Sequence, residues 1–385
     1  MKIPRAENNV SQEIIGERVS LLNSMGVDLS HTTHYSIDPQ TTTGNIENFI
    51  GVAQVPVGLA GPLLINGECA RGEFLVPLAT TEGALVASYS RGMKAITESG
   101  GCSTYIRSDF FTRVGAFSLP NVSAAVALAR WCEEHTHEIA QEVEATTQHG
   151  HFQQMFTHVV GTRLYVEFRI TTGDAMGSNM CSNAAEMACR WIEREALDTN
   201  GTYLWLIAED KKLVGRSMTN GKGKSVVAEA LIMESVLERV LHTHAEDTIK
   251  TFESTDEWWT IFGAHGHNSH VANGLVALYI ACGQDAAYVA ESCSGHLRIS
   301  LQPNRGIHVA ISLPCMIVGT VGGGCGLPTQ RECLRVLGCE GEGNARKFAE
   351  VAAATALAGE LSVMAAVAAG EFVRAHNQLG RNRPA

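Results

Sequence analysis

No Cys-x-x-Cys pair occurs among the 11 cysteines of this chain, and their number is odd. Both facts argue against a zinc site or a disulfide framework and for free thiols in a reducing compartment. Basic residues are in deficit, 29 Lys and Arg against 40 Asp and Glu, for a formal net charge of −11. A nucleic-acid partner wants a basic face, so none is expected, although a local basic pocket for a phosphate is compatible with that balance. Charged residues are only 18% of the 385 and hydrophobic ones 45%, which excludes a disordered chain and leaves room for two or three domains. The polar start, Met-Lys-Ile-Pro-Arg-Ala-Glu-Asn-Asn, does not read as a signal peptide. Segment 351–370 could pass for a membrane span. It is rich in alanine and contains Glu360, so a buried helix is expected, and with it a cytoplasmic protein without a membrane partner. No internal repeat or low-complexity linker is present.

Hydrophobic spacing predicts a helix over 11–25 that stops near Gly26, and one helix over 122–147. Strands are expected at 155–160 and 163–170, then a helix over 174–197 and a strand at 203–208. A Gly- and Lys-rich loop, 211–224, should lead into a helix running to His242. A long apolar helix over 268–293 reads as buried on most faces. Strands at 297–302 and 306–312 flank the turn Pro303-Asn304-Arg305-Gly306. A Gly-rich loop, 319–326, precedes a helix starting near Pro328, and the Ala-rich helix and a basic tail close the chain. The expected fold class is α+β: a large helix-rich domain around a long buried helix, with an inserted small α+β domain of ferredoxin-like order. The units would be 1–44, 45–113, 114–203 and 204–385.

The segment Ala79-Thr80-Thr81-Glu82-Gly83-Ala84 places one carboxylate between hydroxyls and a glycine, just before an apolar run. Buried there, Glu82 could hand a proton to a substrate near neutral pH. The plainer alternative is a helix start capped by Thr80 or Thr81, with Glu82 on the positive end of the dipole. Glu209-Asp210-Lys211-Lys212 sets ammonium groups beside carboxylates: a solvated charge run, or a lysine that stabilises a developing oxyanion. Asp285, in Gly283-Gln284-Asp285-Ala286-Ala287, lies in an apolar stretch and needs a partner, for which a lysine is natural.

Gly319-Thr320-Val321-Gly322-Gly323-Gly324 and Gly173-Asp174-Ala175-Met176-Gly177 could bring backbone N–H groups to phosphates, or could be tight turns. Neither is a Gly-x-Gly-x-x-Gly after a strand in a βαβ unit, so a Rossmann fold is not expected. His376, near the C-terminus, could protonate a leaving thiolate, or simply be exposed. His265, His267 and His270 have ligand-like spacing, but no cysteine or carboxylate completes a pattern, and no metal is expected.

Taken together these segments resemble the 3-hydroxy-3-methylglutaryl-CoA reductase family, of the class that includes the eukaryotic and archaeal enzymes. The resemblance runs from Glu47 to His376 in the family's order, and also takes in Glu47-Asn48-Phe49-Ile50-Gly51 and Pro56-Val57-Gly58-Leu59-Ala60-Gly61-Pro62. It implies a two-step, four-electron reduction of an acyl-CoA thioester by NADPH, with NADH as the alternative reductant. Lys211 would polarise the carbonyl, Glu82 would supply a proton in the aldehyde step, Asp285 would lie between them, and His376 would protonate the departing thiolate. Asp174, Met176, Gly177, Asn179, Val321, Gly322, Gly323 and Gly324 would contact the cofactor. Arg113 would grip the acyl carboxylate with Lys212 and Asn273 beside it, and Asp210, Ser88 and Arg91 would complete the substrate contacts. A homodimer or homotetramer with the site at a subunit interface is implied.

Departures from the family cluster at the same contacts. Leu204-Trp205-Leu206 replaces a polar stretch, and Leu213-Val214-Gly215-Arg216-Ser217-Met218 replaces Pro-Ala-Ala-Ile-Asn-Trp. His242 stands for a CoA-holding lysine, Val289 for an asparagine, and Thr147-Gln148-His149 and Thr171 stand where arginines are usual. Two alternatives therefore accompany the family's reaction: the same chemistry on another carboxyacyl thioester, and a non-catalytic binding relative.

Overall fold

The computed structural model describes residues 2–207, 210–219, 221–303 and 306–379. Ala208, Glu209, Asn304, Arg305 and the basic tail from 380, all used in the sequence expectations, lie outside the described residues. The chain is mixed α and β. It opens with α1 (Gln12–Ser24), β1 (Val57–Asn66), β2 (Arg71–Ala79), α2 (Leu85–Glu98) and β3 (Ser103–Ser118). Next come α3 (Val122–Glu134), α4 (Thr136–Glu144), β4 (Phe152–Val160), β5 (Arg163–Ile170), α5 (Ser178–Glu195) and β6 (Thr202–Ile207). The rest is β7 (Gly223–Ile232), α6 (Glu234–Leu241), α7 (Ala245–Phe262), α8 (Val271–Ala281), α9 (Val289–Ser292), β8 (His296–Gln302), β9 (Gly306–Met316), α10 (Pro328–Val336), α11 (Ala345–Ala368) and α12 (Phe372–Leu379).

Helix α1 starts where the Ser11 hydroxyl accepts the Ile14 N–H at 3.4 Å. Its Arg18 is 2% exposed and donates to the carbonyls of Pro4, Asn9 and Phe49, tying the N-terminal segment together around a burial that would otherwise be costly. Strands β1 and β2 form an antiparallel ribbon. The main sheet has seven strands in the order β4-β5-β3-β7-β9-β8, with β6 also on β3. Strand β3 is its pivot. Ser103 to Phe110 pairs with β7, and Phe111 to Ser118 pairs with β5, with Val114 to Ser118 also meeting β6. The expected boundary at 113/114 falls inside this strand, just past the switch.

Three elements differ from expectation. Residues 122–147 form two helices, broken at His135, whose ring stacks on Trp131 at 4.1 Å. Residues 223–232 form a central strand, not a helix. Lys224, Val226, Ala228, Ala230 and Ile232 are buried in strict alternation, but an inward lysine and alanines hide that period in the sequence. Lys224 can be inward because Asp109 on β3 meets its Nζ at 3.2 Å. The third is the long buried helix. Over 268–293 the chain forms the 11-residue α8, a single 3-10 turn at Ala286–Tyr288 and the short α9, with Gly283 just after α8 at φ 70°. The buried helix is α11, 24 residues long, with Phe348 to Ala366 all inside. It is long and apolar enough to cross a membrane, yet 83% of its most apolar window is buried in the protein, as the alanine content suggested.

Candidate active site

The loop between β6 and β7 carries Lys211 with a left-handed backbone, φ 62°, unusual outside glycine. That conformation is held by its N–H donating to Glu291 Oε1 at 2.6 Å. The Lys211 side chain reaches Asp285, Nζ to Oδ2 2.7 Å, and remains 45% exposed. Asp285 follows α8 and is fixed in turn, accepting the Ala287 N–H at 3.0 Å.

Behind this pair lies a buried charge network. Asp210 meets Arg113 at 3.0 Å and Lys222 at 2.6 Å, and Lys222 also meets Glu291 at 3.0 Å. Burial alone would raise the Asp210 carboxyl, but the Lys222 hydrogen bond and the Arg113 charge hold it below the ordinary value. Glu291 goes the other way: burial raises it and outweighs Lys222 and the Lys211 N–H. Arg113, 3% exposed, further donates to Ser178 Oγ at 2.6 Å and Ser182 Oγ at 2.8 Å. It fixes the start of α5 and the lysine loop to one strand. A second tie holds the loop. Arg216 donates to both oxygens of Glu167 on β5, at 2.9 and 2.6 Å, a bidentate pair with Glu167 only 5% exposed.

The two glycine-bearing segments lie side by side. Thr320 N–H donates to the Asp174 carbonyl at 2.8 Å, and Ala175 and Val321 form a parallel bridge. A Cβ on Gly319 would stand 2.5 Å from the Met176 nitrogen, so this contact needs glycine. Gln284, next to Asp285, exchanges bonds of 2.9 Å with both the N–H and the carbonyl of Gly319. The lysine–aspartate pair is thereby joined to the glycine loop. Gly322 and Gly323 have φ of 74° and 54° and open space where a Cβ would point. Gly177 caps α5 with no side-chain cap, and Asn179 is exposed on its first turn. Met176 packs against the core. Both carboxylate oxygens of Asp174 accept N–H groups, from Gly343 at 2.7 Å and Ala345 at 2.9 Å, so this side chain anchors the start of α11.

Glu82 belongs to a different region. It is exposed, not buried, and α2 starts at Leu85 without a side-chain cap, so neither Thr80 nor Thr81 caps it. Thr80 Oγ1 instead accepts the Glu82 N–H at 3.0 Å. The Glu82 carboxylate accepts from Asn273 Nδ2 at 3.3 Å. Both line a cavity of about 490 Å³ with Ser88, Arg91, His270, Met364 and Phe372. Lys211, Lys212 and Asp285 do not line it. Within the chain Asn273 is thus beside Glu82, and Lys212 is exposed. Arg91 donates to the Ser362 carbonyl at 2.6 Å and Oγ at 3.1 Å, and Ser88 also meets that hydroxyl at 3.1 Å. His376 falls in α12, but its side chain lies outside the described residues.

Several functional neighbours escaped the sequence reading. Glu360, fully buried in α11, accepts the N–H groups of Ser269 and His270 at 2.7 Å each and so fixes the start of α8, which carries Asn273. Burial raises its carboxyl. Glu291 and Lys222 were missed as well. The signal that flagged Asp285, a carboxylate in an apolar stretch, applied equally to Glu291 and Glu360.

This arrangement belongs to an oxidoreductase. Residues 14–381 match the family described as hydroxymethylglutaryl-coenzyme A reductase. The chain is 41% identical to the 3-hydroxy-3-methylglutaryl-coenzyme A reductase of Pyrococcus abyssi, over 99% of its own length and 95% of the relative's. It is 40% identical to that of Methanocaldococcus jannaschii, over 93% and 90%. The chain belongs to the hydroxymethylglutaryl-coenzyme A reductase family. In fold it is similar to the class II reductase of Streptococcus pneumoniae, solved bound to NADPH in open conformations, with a TM-score of 0.71 at 21% identity over 94% of this chain and 100% of that one.

Proposed function

We propose that this chain performs the reaction of its family, the NADPH-dependent four-electron reduction of HMG-CoA to mevalonate and free CoA. The observation that carries the reading is the 2.7 Å contact between Lys211 Nζ and Asp285 Oδ2, tied through Gln284 to the glycine loop. An ammonium positioned by a carboxylate, yet 45% open, can donate to a thioester or aldehyde oxygen as negative charge develops there. NADPH, when bound, supplies the hydride for each reduction. The open space at Gly322 and Gly323 and the uncapped start of α5 suit a dinucleotide's phosphates, and Met176, Gly177, Asn179, Val321 and Gly324 border the same ground. In this reading Glu82 delivers the proton of the aldehyde step, His376 protonates the CoA thiolate, and Ser88 and Arg91 hold the carrier.

The region around β3, 114–203, serves as the small cofactor unit, its strand order ferredoxin-like and not that of a Rossmann domain. Units 1–44, 45–113 and 204–385 form the remainder. Glu82 meets Asn273 near the start of α8, whereas Asp285 follows its far end. An 11-residue helix is about 16 Å long. That separation supports a homodimer or homotetramer in which Glu82 of one protomer completes the lysine site of its partner. The reading places the protein in the cytoplasm, acting on a small acyl thioester without membrane or nucleic acid.

Purified protein given HMG-CoA and NADPH should oxidise two equivalents of NADPH for each CoA thiol released. No oxidation above a protein-free blank would overturn the reading.

A further inference from the structure

Two guanidinium groups and an imidazole converge on a single carboxylate beside the cavity that Arg91 lines. Glu371 stands between α11 and α12, its N–H fixed on the Ala366 carbonyl at 2.8 Å. Its Oε2 lies 3.7 Å from Arg91 Nη1 and 3.3 Å from His242 Nδ1, while Oε1 accepts from Arg374 Nη2. The Glu371 side chain is only 19% exposed, so it is held there and not waving in solvent. Arg91 lines the 490 Å³ cavity, as does Phe372, the residue after Glu371. Ser362 takes Nε and Nη2 of Arg91, which leaves Nη1 turned to Glu371. In a chain of net charge −11, such a gathering of cations is the natural seat for a phosphate, and guanidinium groups are the usual grip. Here a protein carboxylate already occupies it.

We propose that Glu371 is a specificity-determining residue, an internal counter-anion on Arg91 and Arg374, with the His242 ring beside it, that the phosphate groups of a CoA thioester must displace to bind. The proposal rests on the CoA-thioester reading above. A carrier with phosphates regains from the freed cations what it loses in displacing Glu371. A carrier without phosphates has nothing to offer them. The carboxylate thus sets a charge threshold for entry. Because Arg374 lies on α12 with His376, displacement also releases the first turn of the helix that carries the proposed thiolate acid.

The test is a calorimetric titration of the full chain with CoA and, separately, with pantetheine, which has the same arm without phosphates. E371Q keeps the shape and removes the charge. It should bind CoA about three- to tenfold more tightly, with pantetheine unchanged and the gain shrinking at high salt. R374Q removes a 65% exposed cation and tests the same cluster without disturbing the core. It should weaken CoA by about threefold and leave pantetheine unchanged. CoA affinity unchanged or weakened in E371Q, equal gains for both ligands, or no CoA effect in R374Q would each overturn the proposal. If the unaltered chain binds no CoA at all, the CoA-thioester reading falls and this proposal with it. If it binds CoA and E371Q gains nothing, only this proposal falls.

Discussion

Lys211 and Asp285 are 74 positions apart in the chain (285 − 211) and meet at 2.7 Å, across a loop whose backbone is bent into the left-handed region to allow it. Removing the ammonium should therefore abolish turnover while leaving the fold intact. K211M is expected to lower kcat by about a thousandfold or more, with NADPH binding retained. Stopped-flow measurement of NADPH oxidation and fluorescence titration of the cofactor check the two halves of that expectation. Near-normal kcat in K211M would remove the lysine from the chemistry.

The separation of Glu82 from Lys211 along α8 makes a sharper test of assembly. K211M and E82Q should each be inactive alone. Co-expressed, they form mixed dimers with one intact site, and activity should return to roughly a quarter of normal. Mixtures as inactive as the separate variants would place the complete site within one protomer.

The Arg216–Glu167 clamp has a pH signature. Burial by itself would raise the Glu167 carboxyl, but Arg216 and then Arg169 outweigh it and hold it below the ordinary value. A carboxylate lowered in the folded state stabilises the protein above its unfolded pKa, about 4.3, and that contribution is lost as pH falls through the lower folded value. R216Q should cost about 3 kcal/mol at pH 7 because it leaves Glu167 without its main partner. The gap between variant and parent should narrow in acid, as pH falls through the lowered folded value of Glu167 in the parent. Urea midpoints at the two pH values decide it, and a gap independent of pH would sink the electrostatic account.

Cysteine reactivity should be sharply uneven. Burial pushes the thiols of Cys102, Cys132, Cys181 and Cys339 up to about 12, whereas Cys69 is exposed. At pH 8 iodoacetamide should modify Cys69 first and leave those four untouched until the chain is unfolded. Peptide mass spectrometry over a time course reads this directly, and early labelling of Cys132 would contradict the packing described.

The sequence was most legible where chemistry is local. Asp285 in an apolar stretch asked for a cation, and Lys211 stands there. The alanine content of α11 marked it as a core helix, and α10 starts at Pro328 as its first-turn proline suggested. What the sequence hid was set by partners far along the chain. Lys224 obscured β7 because only Asp109 makes an inward lysine tolerable. Glu82 looked buried because an apolar run follows it, yet its loop leaves it in an open cavity wall. The partners of Arg113 were equally hidden, since Asp210, Ser178 and Ser182 come to it from 65 to 97 positions along the chain. Glu371 carried no local signal, since its three partners come from α2, from just after α6, and from α12.

Strand β3 imposes an order on biogenesis. By the time residue 207 leaves the ribosome, every strand that pairs with the second half of β3 has been made. Its first half must wait for 223–232, and the apolar face of α2 waits longer still, for the helix at Ala345–Ala368. A nascent chain stalled between these points carries one finished unit and one bare one. That interval, and not the finished enzyme, is where truncation or slow translation should drive this protein into aggregates.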